Sequence, residues 1–455
     1  MSIKEENIYF IGIGGIGMSA LARYFNQIGK NVFGYDRSIT DLSRRLQAEG
    51  ISVNYILEAD AIPFTCREKE NTMVIYTPAI ASSNPILNYF QEEGFVCHKR
   101  AQVLGLLSKD LKTIAVAGTH GKTTVSSMIA FILHDAGIKI NAFLGGISHD
   151  FRTNLLLYEE AEFMVTEADE YDRSFLQLFP EIAVVTSIDA DHLDIYEEAE
   201  ELTKTYRTFC QQISSEGVLY TKVQHLEALN LPPSLNVKLY GENGRDIEVK
   251  NLEVANGNFL FDLKCGDTLL DKVQCGLPGL HNVENASVAI GLAIDLGVEP
   301  ELAKNAIAKF RGVKRRFDVH LKRSDFVYID DYAHHPQEIK ALLSSVKQLY
   351  PDKKITAVFQ PHLYSRTRDF GADFAKELAL ADEVILLELY PAREEPIEGI
   401  DSRWLAKQID KKNVYVLQKA QLMKHLEGID VELLLTIGAG DIDTLIEPII
   451  NHYEL

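Results

Sequence analysis

The sequence predicts an α/β protein with three domains: an N-terminal Rossmann-like domain at 1–109, a central P-loop ATPase-like α/β domain at 110–313, and a C-terminal Rossmann-like doubly wound sheet at 314–455. The length of 455 residues allows about two to four domains of roughly 100–200 residues. Short apolar runs alternate with helix-like stretches, which is typical of parallel sheets covered by helices. Two of these runs end in Gly-rich turns, at Gly12 and at Gly118, and turns of this kind bind phosphates.

The composition limits the class of protein. Hydrophobic residues make up 46% of the chain and charged residues 25%, as in ordinary globular proteins. The first residues form no apolar signal segment and no apolar run is long enough to span a bilayer, so we expect a cytoplasmic protein without membrane contact. The net charge of −20 argues against nucleic-acid binding, but local cations can still bind small anionic substrates. The five cysteines form no Cys-x-x-Cys pair, which favours neither structural zinc nor disulfides.

A dinucleotide-type turn follows the first predicted strand, at 7–13. Gly12, Gly14 and Gly17 form a Gly-x-Gly-x-x-Gly pattern, and Asp36 lies about 20 residues beyond it, after a second strand. Such a turn holds a diphosphate over a helix N-terminus, and that diphosphate can belong to UDP as well as to NAD. A turn used only for tight strand–helix packing is the structural alternative.

The central region begins with a variant phosphate loop after the apolar run 113–117. Gly118 and Gly121 are separated by two residues rather than the usual four. Lys122 supplies a point charge for terminal phosphates, and Thr123 supplies a hydroxyl for a phosphate-bound Mg²⁺. The loop residues expected to contact ATP are Gly118, Thr119, His120, Gly121, Lys122, Thr123 and Thr124.

Polar residues follow two further strands of this region. Glu167 comes after the run 162–166, and His192 comes after the run 182–188. Oxygen ligands suit Mg²⁺ and one imidazole is tolerated, so these two side chains and Thr123 are candidate metal ligands at neighbouring strand ends. Taken in isolation, Glu167 fits a solvated acidic loop, and His192 fits a capping or core histidine.

The third region contains strand candidates at 326–329, 355–359, 383–387, 414–417 and 433–437, separated by helical stretches such as 336–349. This alternation predicts a mainly parallel sheet with ligands at its carboxyl edge. Arg315 and Arg316 are candidates for clamping a phosphate, unless they belong to a solvated basic turn. Asn282 and Asn285 are candidates for reading an adenine edge, unless they cap a helix.

Together these motifs resemble those of the Mur ligases. They follow one another from residue 12 to residue 441, so the resemblance covers nearly the whole chain. The segments that carry it are 12–18 (GIGGIGM), 118–124 (GTHGKTT), 167–170 (EADE), 191–192 (DH), 281–282 (HN), 331–336 (DYAHHP) and 364–368 (YSRTR).

The resemblance implies three α/β domains, which bind the UDP part of a substrate, ATP with Mg²⁺, and the nucleotide together with an incoming amino acid. It also implies the reaction. ATP, UDP-N-acetylmuramate and L-alanine give ADP, phosphate and UDP-N-acetylmuramoyl-L-alanine through an acyl phosphate. The implied partners are therefore small molecules, and we expect a monomer or a homodimer.

The family pattern also assigns roles to residues. Lys122 stabilises the transferring phosphoryl group, Thr123 and Glu167 hold one Mg²⁺, and His192 holds the other. The expected ATP contacts outside the loop are Asn282, Asn285, Arg316 and Asp331. The expected contacts of the UDP-substrate are Gly12, Gly14, Gly15, Gly17, Met18, Asp36 and Arg100. The expected catalytic residues on the amino-acid side are His334 and Arg366, with Tyr332, His335 and His362 beside them.

Three positions leave questions open. Ser187 replaces an asparagine often seen before the metal-binding histidine of the family. Leu363 replaces a basic residue found in some members, so the carboxylate contact of the amino acid is open at that position. Many Mur ligases use a carbamylated lysine, and the sequence does not show whether Lys204 is such a residue.

Three other functions compete with this interpretation. A related ligase that joins a recycled tripeptide to UDP-N-acetylmuramate shares both phosphate sites but needs a larger amine pocket. An NAD-binding oxidoreductase is supported by the first glycine motif alone, and hydride transfer has little use for the loop that contains Lys122. A catalytically silent UDP-sugar-binding protein does not need Lys122, Glu167 and His192 together.

Overall fold

The structure is a computed structural model that describes residues 3–189, 196, 199–255, 258–392 and 394–454. The chain forms two compact units. The first consists of Met1–Val249, Lys264–Leu269 and Asn285–Ile307, and it contains the N-terminal sheet and most of the central sheet. The second consists of Lys250–Leu263, Leu270–Glu284 and Ala308–Leu455, and it contains the C-terminal sheet. The described part of the chain has no helix long and apolar enough to cross a membrane.

The N-terminal sheet has the parallel order β3-β2-β1-β4-β5. Its strands are β1 (Asn7–Ile11), β2 (Asn31–Tyr35), β3 (Ser52–Asn54), β4 (Thr72–Tyr76) and β5 (Cys97–Lys99). The helices are α1 (Ile16–Gln27), α2 (Asp41–Ala48), α3 (Pro85–Glu92) and α4 (Arg100–Leu107). Every residue of β1 is buried, as expected for the middle strand of a sheet covered on both faces. The carboxyl end of β1 therefore delivers the Gly-rich turn directly to the start of α1.

The central sheet has the order β12-β11-β10-β6-β9-β7-β8 in its first seven strands. These are β6 (Lys112–Ala117), β7 (Ile140–Phe143), β8 (Leu155–Leu156), β9 (Phe163–Ala168), β10 (Ile182–Val185), β11 (Val218–Thr221) and β12 (Asn236–Gly241). The helices are α5 (Lys122–Asp135), α6 (Ala199–Gln211), α7 (Leu226–Leu229), α8 (Leu280–Asp295) and α9 (Pro300–Lys309). Three further strands are β13 (Ile247–Ala255), β14 (Asn258–Cys265) and β15 (Thr268–Gln274). Strand β6 lies between β9 and β10, so the phosphate loop emerges beside the ends of both neighbours.

The C-terminal sheet has the order β16-β17-β21-β18-β19-β20 and is parallel except for β16. Its strands are β16 (Asp318–Lys322), β17 (Val327–Asp331), β18 (Ile355–Phe359), β19 (Glu383–Leu387), β20 (Val414–Leu417) and β21 (Leu433–Ile437). The helices are α10 (Pro336–Leu349), α11 (Tyr364–Asp369), α12 (Gly371–Leu378), α13 (Ser402–Ala406), α14 (Lys419–Leu426) and α15 (Ile446–Glu454). This is the doubly wound sheet that the sequence predicts, with one additional antiparallel edge strand that is not among the predicted strands.

Two strands extend further than their apolar runs. Strand β9 includes Glu167, and β17 includes Asp330 and Asp331. Backbone pairing continues past the apolar residues, because Glu167 lies opposite Val116 and Asp331 lies opposite Ile437. These carboxylates therefore lie within the sheets rather than on loops, which limits their movement.

Candidate active site

The phosphate loop joins β6 to α5, and two glycines with positive φ shape it. Gly118 has a φ of +135°, and Gly121, directly before α5, has a φ of +85°. A Cβ atom at Gly118 would lie 2.0 Å from Oγ1 of Thr186. Side chains are excluded from this approach, so the short loop needs both glycines. The N–H groups of the loop lie at the N-terminus of α5, which is the positive end of the helix dipole. This arrangement favours the binding of an anion.

The residues after β10 hold the loop in place. The His120 N–H donates to Ser187 Oγ at 2.8 Å, and the Thr119 N–H donates to the Ser187 carbonyl at 3.2 Å. The Thr119 hydroxyl donates to the Asp189 carbonyl at 2.9 Å. Ser187, one of the departures from the family pattern, is thus an anchor of the loop.

Lys122 pairs with a carboxylate that is not among the site residues predicted from the sequence. Its Nζ lies 2.8 Å from both Oε1 and Oε2 of Glu170, and it donates to the Gly118 carbonyl at 2.7 Å. Glu170 is fully buried. Burial lowers the pKa of Lys122, but the carboxylates of Glu170, Asp169 and Glu167 together outweigh burial, and the pKa is raised. Lys122 is therefore a fixed cation at the start of α5.

Glu167 lies against the loop that follows β7. A Cβ atom at Gly145 would lie 2.0 Å from Glu167 Oε2, so a glycine is required there. Thr123 is buried in the first turn of α5, at the carboxyl end of the neighbouring strand β6. A carboxylate and a hydroxyl are the kinds of oxygen donor that Mg²⁺ takes alongside phosphate oxygens.

His192, which is expected to hold the second Mg²⁺, lies outside the described residues. Among the residues that are described, no group of three or more His, Cys, Asp or Glu side chains is arranged to hold a metal ion. A magnesium site at Glu167 and Thr123 would therefore depend on phosphate oxygens and water for most of its ligands.

A cleft of about 220 Å³ connects the start of α1 with Glu167. It is lined by Gly15, Ile16, Gly17, Met18, Ala20, Leu21, Thr77, Arg100, Leu104, Phe143, Leu144, Gly145, Thr166, Glu167 and Asp169. Five of the residues expected at the UDP-substrate and metal sites thus line one cleft of the first unit. They are Gly15, Gly17, Met18, Arg100 and Glu167.

Arg100 crosses the first turn of α1. Its Nη1 would lie 2.7 Å from a Cβ atom at Gly17, and its Nη2 lies 3.6 Å from Asp169 Oδ2. The preceding residue, Lys99, pairs with Asp172 at 2.6 Å. A guanidinium in this position adds a second cation to the positive end of α1, beside the cleft.

The Asp36 carboxylate stabilises the glycine turn by hydrogen bonds to the backbone. Its Oδ2 accepts from the Gly14 N–H at 2.8 Å, and its Oδ1 accepts from the Ser38 N–H at 3.1 Å. Both oxygens thus hold backbone groups. Asp36 is one of the predicted contacts of the UDP-substrate, whereas its observed contacts shape the turn that contains Gly12 and Gly14.

Asp331 is a buried acid of the C-terminal sheet whose pKa is raised. Burial raises its pKa to about 7, although Arg316 and the N–H groups of Phe317 and Ala333 lower it. The two N–H groups donate to Oδ2 and Oδ1 at 2.7 Å each. The carboxyl thus ties together the turn before β16 and the turn after β17.

The adjacent arginines 315 and 316 have different environments. Arg315 Nε lies 3.2 Å from Oδ2 of buried Asp330, and its Nη2 donates to the Gly438 carbonyl at 2.5 Å. Arg316 lies 5.0 Å from the Tyr332 ring and pairs with Glu338 only at 3.8 Å. The contacts of Arg315 lie inside the domain and disfavour a phosphate clamp at this residue. For Arg316 the phosphate clamp stays a prediction.

The histidines after β17 also differ from one another. His334 Nδ1 lies 2.9 Å from the Tyr332 carbonyl, and its ring lies 6.1 Å from the His362 ring. His335 is buried, caps α10 through the Gln337 N–H at 3.4 Å, and packs on Phe370. The structure brings Tyr332, His334 and His362 together as expected, but it gives His335 a helix-capping role.

Arg366 is buried in α11, behind a strained residue. Leu363, which precedes this helix, has a φ of +69°, and its N–H donates to the Tyr390 carbonyl at 3.0 Å. Leucine rarely adopts a positive φ, and such strain is concentrated at functional sites.

The two asparagines of α8, Asn282 and Asn285, have different environments. Asn282 is buried, and its Nδ2 donates to the Pro278 carbonyl at 2.6 Å, so its amide bonds the turn that precedes α8. Asn285 Oδ1 would lie 3.1 Å from a Cβ atom at Gly121, so this side chain faces the phosphate loop. The structure thus favours Asn285 over Asn282 as a nucleotide contact.

Lys204 is a surface residue. Its Nζ lies 3.2 Å from Glu201 and 3.5 Å from Glu200, and the hydrogen bond to Glu201 is the main reason why its pKa is raised. Carbamylation requires a neutral amine, so this environment disfavours it.

Comparison with known proteins gives one consistent result. Three domain models match in order: "Mur ligase family, catalytic domain" at 7–112, "Mur ligase middle domain" at 116–293, and "Mur ligase, glutamate ligase domain" at 315–441. The chain is 45% identical to the UDP-N-acetylmuramate–L-alanine ligase of Cytophaga hutchinsonii, over 98% of this chain and 96% of that protein. It is 41% identical to the ligase of the same name from Porphyromonas gingivalis, over 99% of both chains.

Solved structures agree with this result. The crystal structure of a UDP-N-acetylmuramate-alanine ligase from Thermotoga maritima matches with a TM-score of 0.84 and 26% identity, over 98% of this chain and 99% of that one. A murein peptide ligase from Psychrobacter arcticus matches with a TM-score of 0.71 and 22% identity over 98% of both chains, which shows the shared fold alone. The predicted fold class and the family resemblance are therefore confirmed. With more than 40% identity to its relatives along nearly its whole length, this chain belongs to the Mur ligase family.

Proposed function

We propose that this chain is an ATP-dependent ligase that joins L-alanine to the lactyl carboxylate of UDP-N-acetylmuramate through an acyl phosphate. The products are ADP, phosphate and UDP-N-acetylmuramoyl-L-alanine, a precursor of peptidoglycan. The observation that carries the proposal is the cleft of the first unit, which is lined by the Gly-rich start of α1, by Arg100 and by Glu167. The start of α1 and Arg100 suit the substrate's diphosphate, and Glu167 suits a metal-bound phosphate.

The chemistry requires two anions to react with each other. One oxygen of the lactyl carboxylate attacks the γ-phosphorus of ATP, and the bond to ADP breaks. The amine of alanine then attacks the resulting acyl carbonyl, loses a proton, and expels inorganic phosphate. The first step is opposed by charge repulsion, which Lys122 at the phosphate loop and Arg100 at the other end of the substrate reduce.

Glu167 and Thr123 fit Mg²⁺ because they present a carboxylate and a hydroxyl at adjacent strand ends. When bound there, Mg²⁺ would neutralise charge on the phosphates. The chain's own residues fix the geometry: Gly145 keeps Glu167 against its loop, and Gly121 starts the helix that presents Thr123.

The remaining assignments are also proposals. Asn285, Arg316 and Asp331 contact the nucleotide, while Tyr332, His334, His362 and Arg366 serve the amino-acid side. ATP and nucleotide sugars are metabolites of the cytoplasm, which is where we propose that the reaction takes place.

A phosphate-release assay tests the proposal. Purified protein with ATP, Mg²⁺ and UDP-N-acetylmuramate should release phosphate with L-alanine and not with a tripeptide. With ¹⁸O in the lactyl carboxylate, the label should pass into the phosphate, because one carboxylate oxygen leaves with it. Faster release with the tripeptide would indicate the peptide-recycling ligase instead.

An NADH titration tests the oxidoreductase alternative. The match of residues 7–112 to a Mur ligase domain model accounts for the first glycine motif without NAD. We therefore expect no change of NADH fluorescence at micromolar protein. A saturable change would revive that alternative.

A further inference from the structure

Asn154 lies directly before β8 and binds three groups of helix α1. Its Nδ2 donates to the Ile16 carbonyl at 2.7 Å and to Ser19 Oγ at 3.1 Å. Its Oδ1 accepts from Arg23 Nη1 at 2.5 Å. Asn154 is fully buried, so these hydrogen bonds form away from solvent. One side chain of the central region therefore holds the first two turns of α1.

Arg23 extends this connection to the residue that follows helix α2. Its Nε and Nη2 lie 2.7 and 2.8 Å from the two carboxylate oxygens of Glu49. The Arg23 side chain is only 6% exposed, whereas that of Glu49 is 40% exposed. The guanidinium is thus oriented by Glu49, and its remaining nitrogen is directed at Asn154.

The backbone of Asn154 leads to the other side of the cleft. Its carbonyl accepts from the Leu144 N–H at 2.9 Å. The residue after Leu144 is Gly145, which lies against Glu167. A single residue is therefore bonded to the start of α1 through its side chain and to the loop beside Glu167 through its backbone.

We propose that Asn154 is a positioning residue for the ligation: it sets the distance between the diphosphate end of the nucleotide sugar, at the start of α1, and the phosphoryl-transfer end, at Glu167. This role rests on the proposed function. Asn154 is not among the residues that line the cleft, so it acts through Ile16, Ser19 and Leu144.

The geometry explains why the connection affects rate as well as binding. The cleft is lined on one side by α1 residues such as Gly17 and Met18, and on the other by Leu144, Gly145 and Glu167. A substrate held by its diphosphate places its lactyl carboxylate at a fixed distance from that end. A misplacement of about 1 Å between reacting groups can cost about 100-fold in rate.

The main variant is Asn154→Ala. We expect the KM for UDP-N-acetylmuramate to rise about ten-fold and kcat to fall about ten-fold. Both changes follow because the variant loses the hydrogen bonds that fix the position of the start of α1. The KM for ATP should stay within about two-fold, because the phosphate loop makes its own contacts with Ser187 and Asp189. Calorimetric binding of UDP-N-acetylmuramate should weaken to the same extent as the KM.

Two milder variants keep the test informative if Asn154→Ala does not fold. Ser19→Ala removes one partner of Asn154 and should change the same two constants in the same direction, by about two- to three-fold. Asn154→Asp keeps an acceptor for Arg23 but no donor for Ile16, so it should retain the fold and still raise the KM for the nucleotide sugar. The matched control is Asn26→Ala, which removes a hydrogen bond from α1 to the Glu49 carbonyl, on an exposed face.

The outcomes separate the inference from the proposed function. If the unaltered protein releases no phosphate with UDP-N-acetylmuramate and L-alanine, the proposed function fails. If the unaltered protein is active and the folded Asn154 and Ser19 variants keep the KM for the nucleotide sugar and kcat, the positioning role is wrong. A lower melting temperature with unchanged kinetic constants would likewise assign Asn154 a purely structural role.

Discussion

The ammonium group of Lys122 lies 2.8 Å from both carboxylate oxygens of Glu170, inside the protein at the start of α5. The Glu170 side chain is fully buried, and that of Lys122 is 15% exposed. In this arrangement the carboxylate balances the charge that the phosphate loop offers to a ligand. An incoming phosphate must compete with Glu170 for the ammonium N–H donors that the Gly118 carbonyl does not take.

Glu170→Gln should therefore lower the stability of the protein without nucleotide and increase the stabilisation that ATP provides. Breaking a buried ion pair costs up to about 3–5 kcal/mol, so the melting temperature without ATP should fall. ATP should raise the melting temperature more than in the unaltered protein, because Lys122 then has no anionic competitor. Thermal unfolding with and without ATP measures both effects.

The matched control for Glu170→Gln is Glu160→Gln. Glu160 pairs with Lys139 at 2.6 Å, but the two side chains are 80% and 52% exposed. An exposed pair contributes about 0–1 kcal/mol, so neither effect is expected. An ATP-induced shift that is the same in Glu170→Gln and in the unaltered protein would contradict the competition between Glu170 and phosphate.

Substitution of the two adjacent arginines before β16 should affect different properties: stability for Arg315 and ATP binding for Arg316. Arg315→Ala leaves buried Asp330 without its cation and the Gly438 carbonyl without its donor. The free energy of unfolding should fall by about 3–5 kcal/mol. Arg316→Ala should change stability by less than about 1 kcal/mol and raise the KM for ATP. Urea unfolding and steady-state kinetics distinguish the two; a stable Arg315→Ala protein would contradict the assignment.

The sequence predicts the sheets and the backbone of the site better than the contacts of its side chains. The strand–loop–helix unit around Lys122 is predictable because the apolar run, the two glycines and the periodic helix are contiguous. The partner of Lys122 is not, because Glu170 lies 48 residues away and belongs to an acidic run that resembles a surface loop. Only the fold shows which carboxylate of that run points inward.

The same limit applies to the residue pairs at 315–316 and at 282 and 285. Arg315 and Arg316 have identical side chains, so the sequence does not tell which one is directed at Gly438. The left-handed φ of +63° at Arg315 turns the backbone between them. The sequence does carry one signal for Glu170, which lies three residues after Glu167 at the end of a predicted strand.

Glu167→Gln tests the proposed magnesium site. A neutral amide is a weaker ligand than a carboxylate, so the Mg²⁺ concentration for half-maximal phosphate release should rise by at least about ten-fold. The nucleotide-sugar KM at saturating Mg²⁺ should change less. Activity measured across a Mg²⁺ titration gives both values, with Glu160→Gln as the exposed control. An unchanged Mg²⁺ requirement would remove Glu167 from the metal site.

Asp331 should make stability depend on pH between about 4 and 7. Burial raises the pKa of this carboxyl from 3.8 to about 7 in the folded protein. Below pH 3.8 both the folded and the unfolded chain hold the proton. Between 3.8 and 7 the unfolded chain releases it while the folded chain retains it, so the free energy of unfolding falls as pH rises. This loss is complete above pH 7, and it amounts to at most about 4 kcal/mol.

Asp331→Asn removes this titration but keeps a side chain of similar shape. One N–H of the Phe317 and Ala333 pair then faces an amide NH₂, which lowers stability equally at every pH. The unaltered protein should therefore lose free energy of unfolding relative to Asp331→Asn as pH rises from 4 to 7. Urea unfolding at intervals of half a pH unit measures it, with Asp373→Asn at an exposed position of α12 as the control. A constant difference across this range would mean that Asp331 is already ionised in the folded protein at low pH, because Arg316 and the two N–H groups would then outweigh burial.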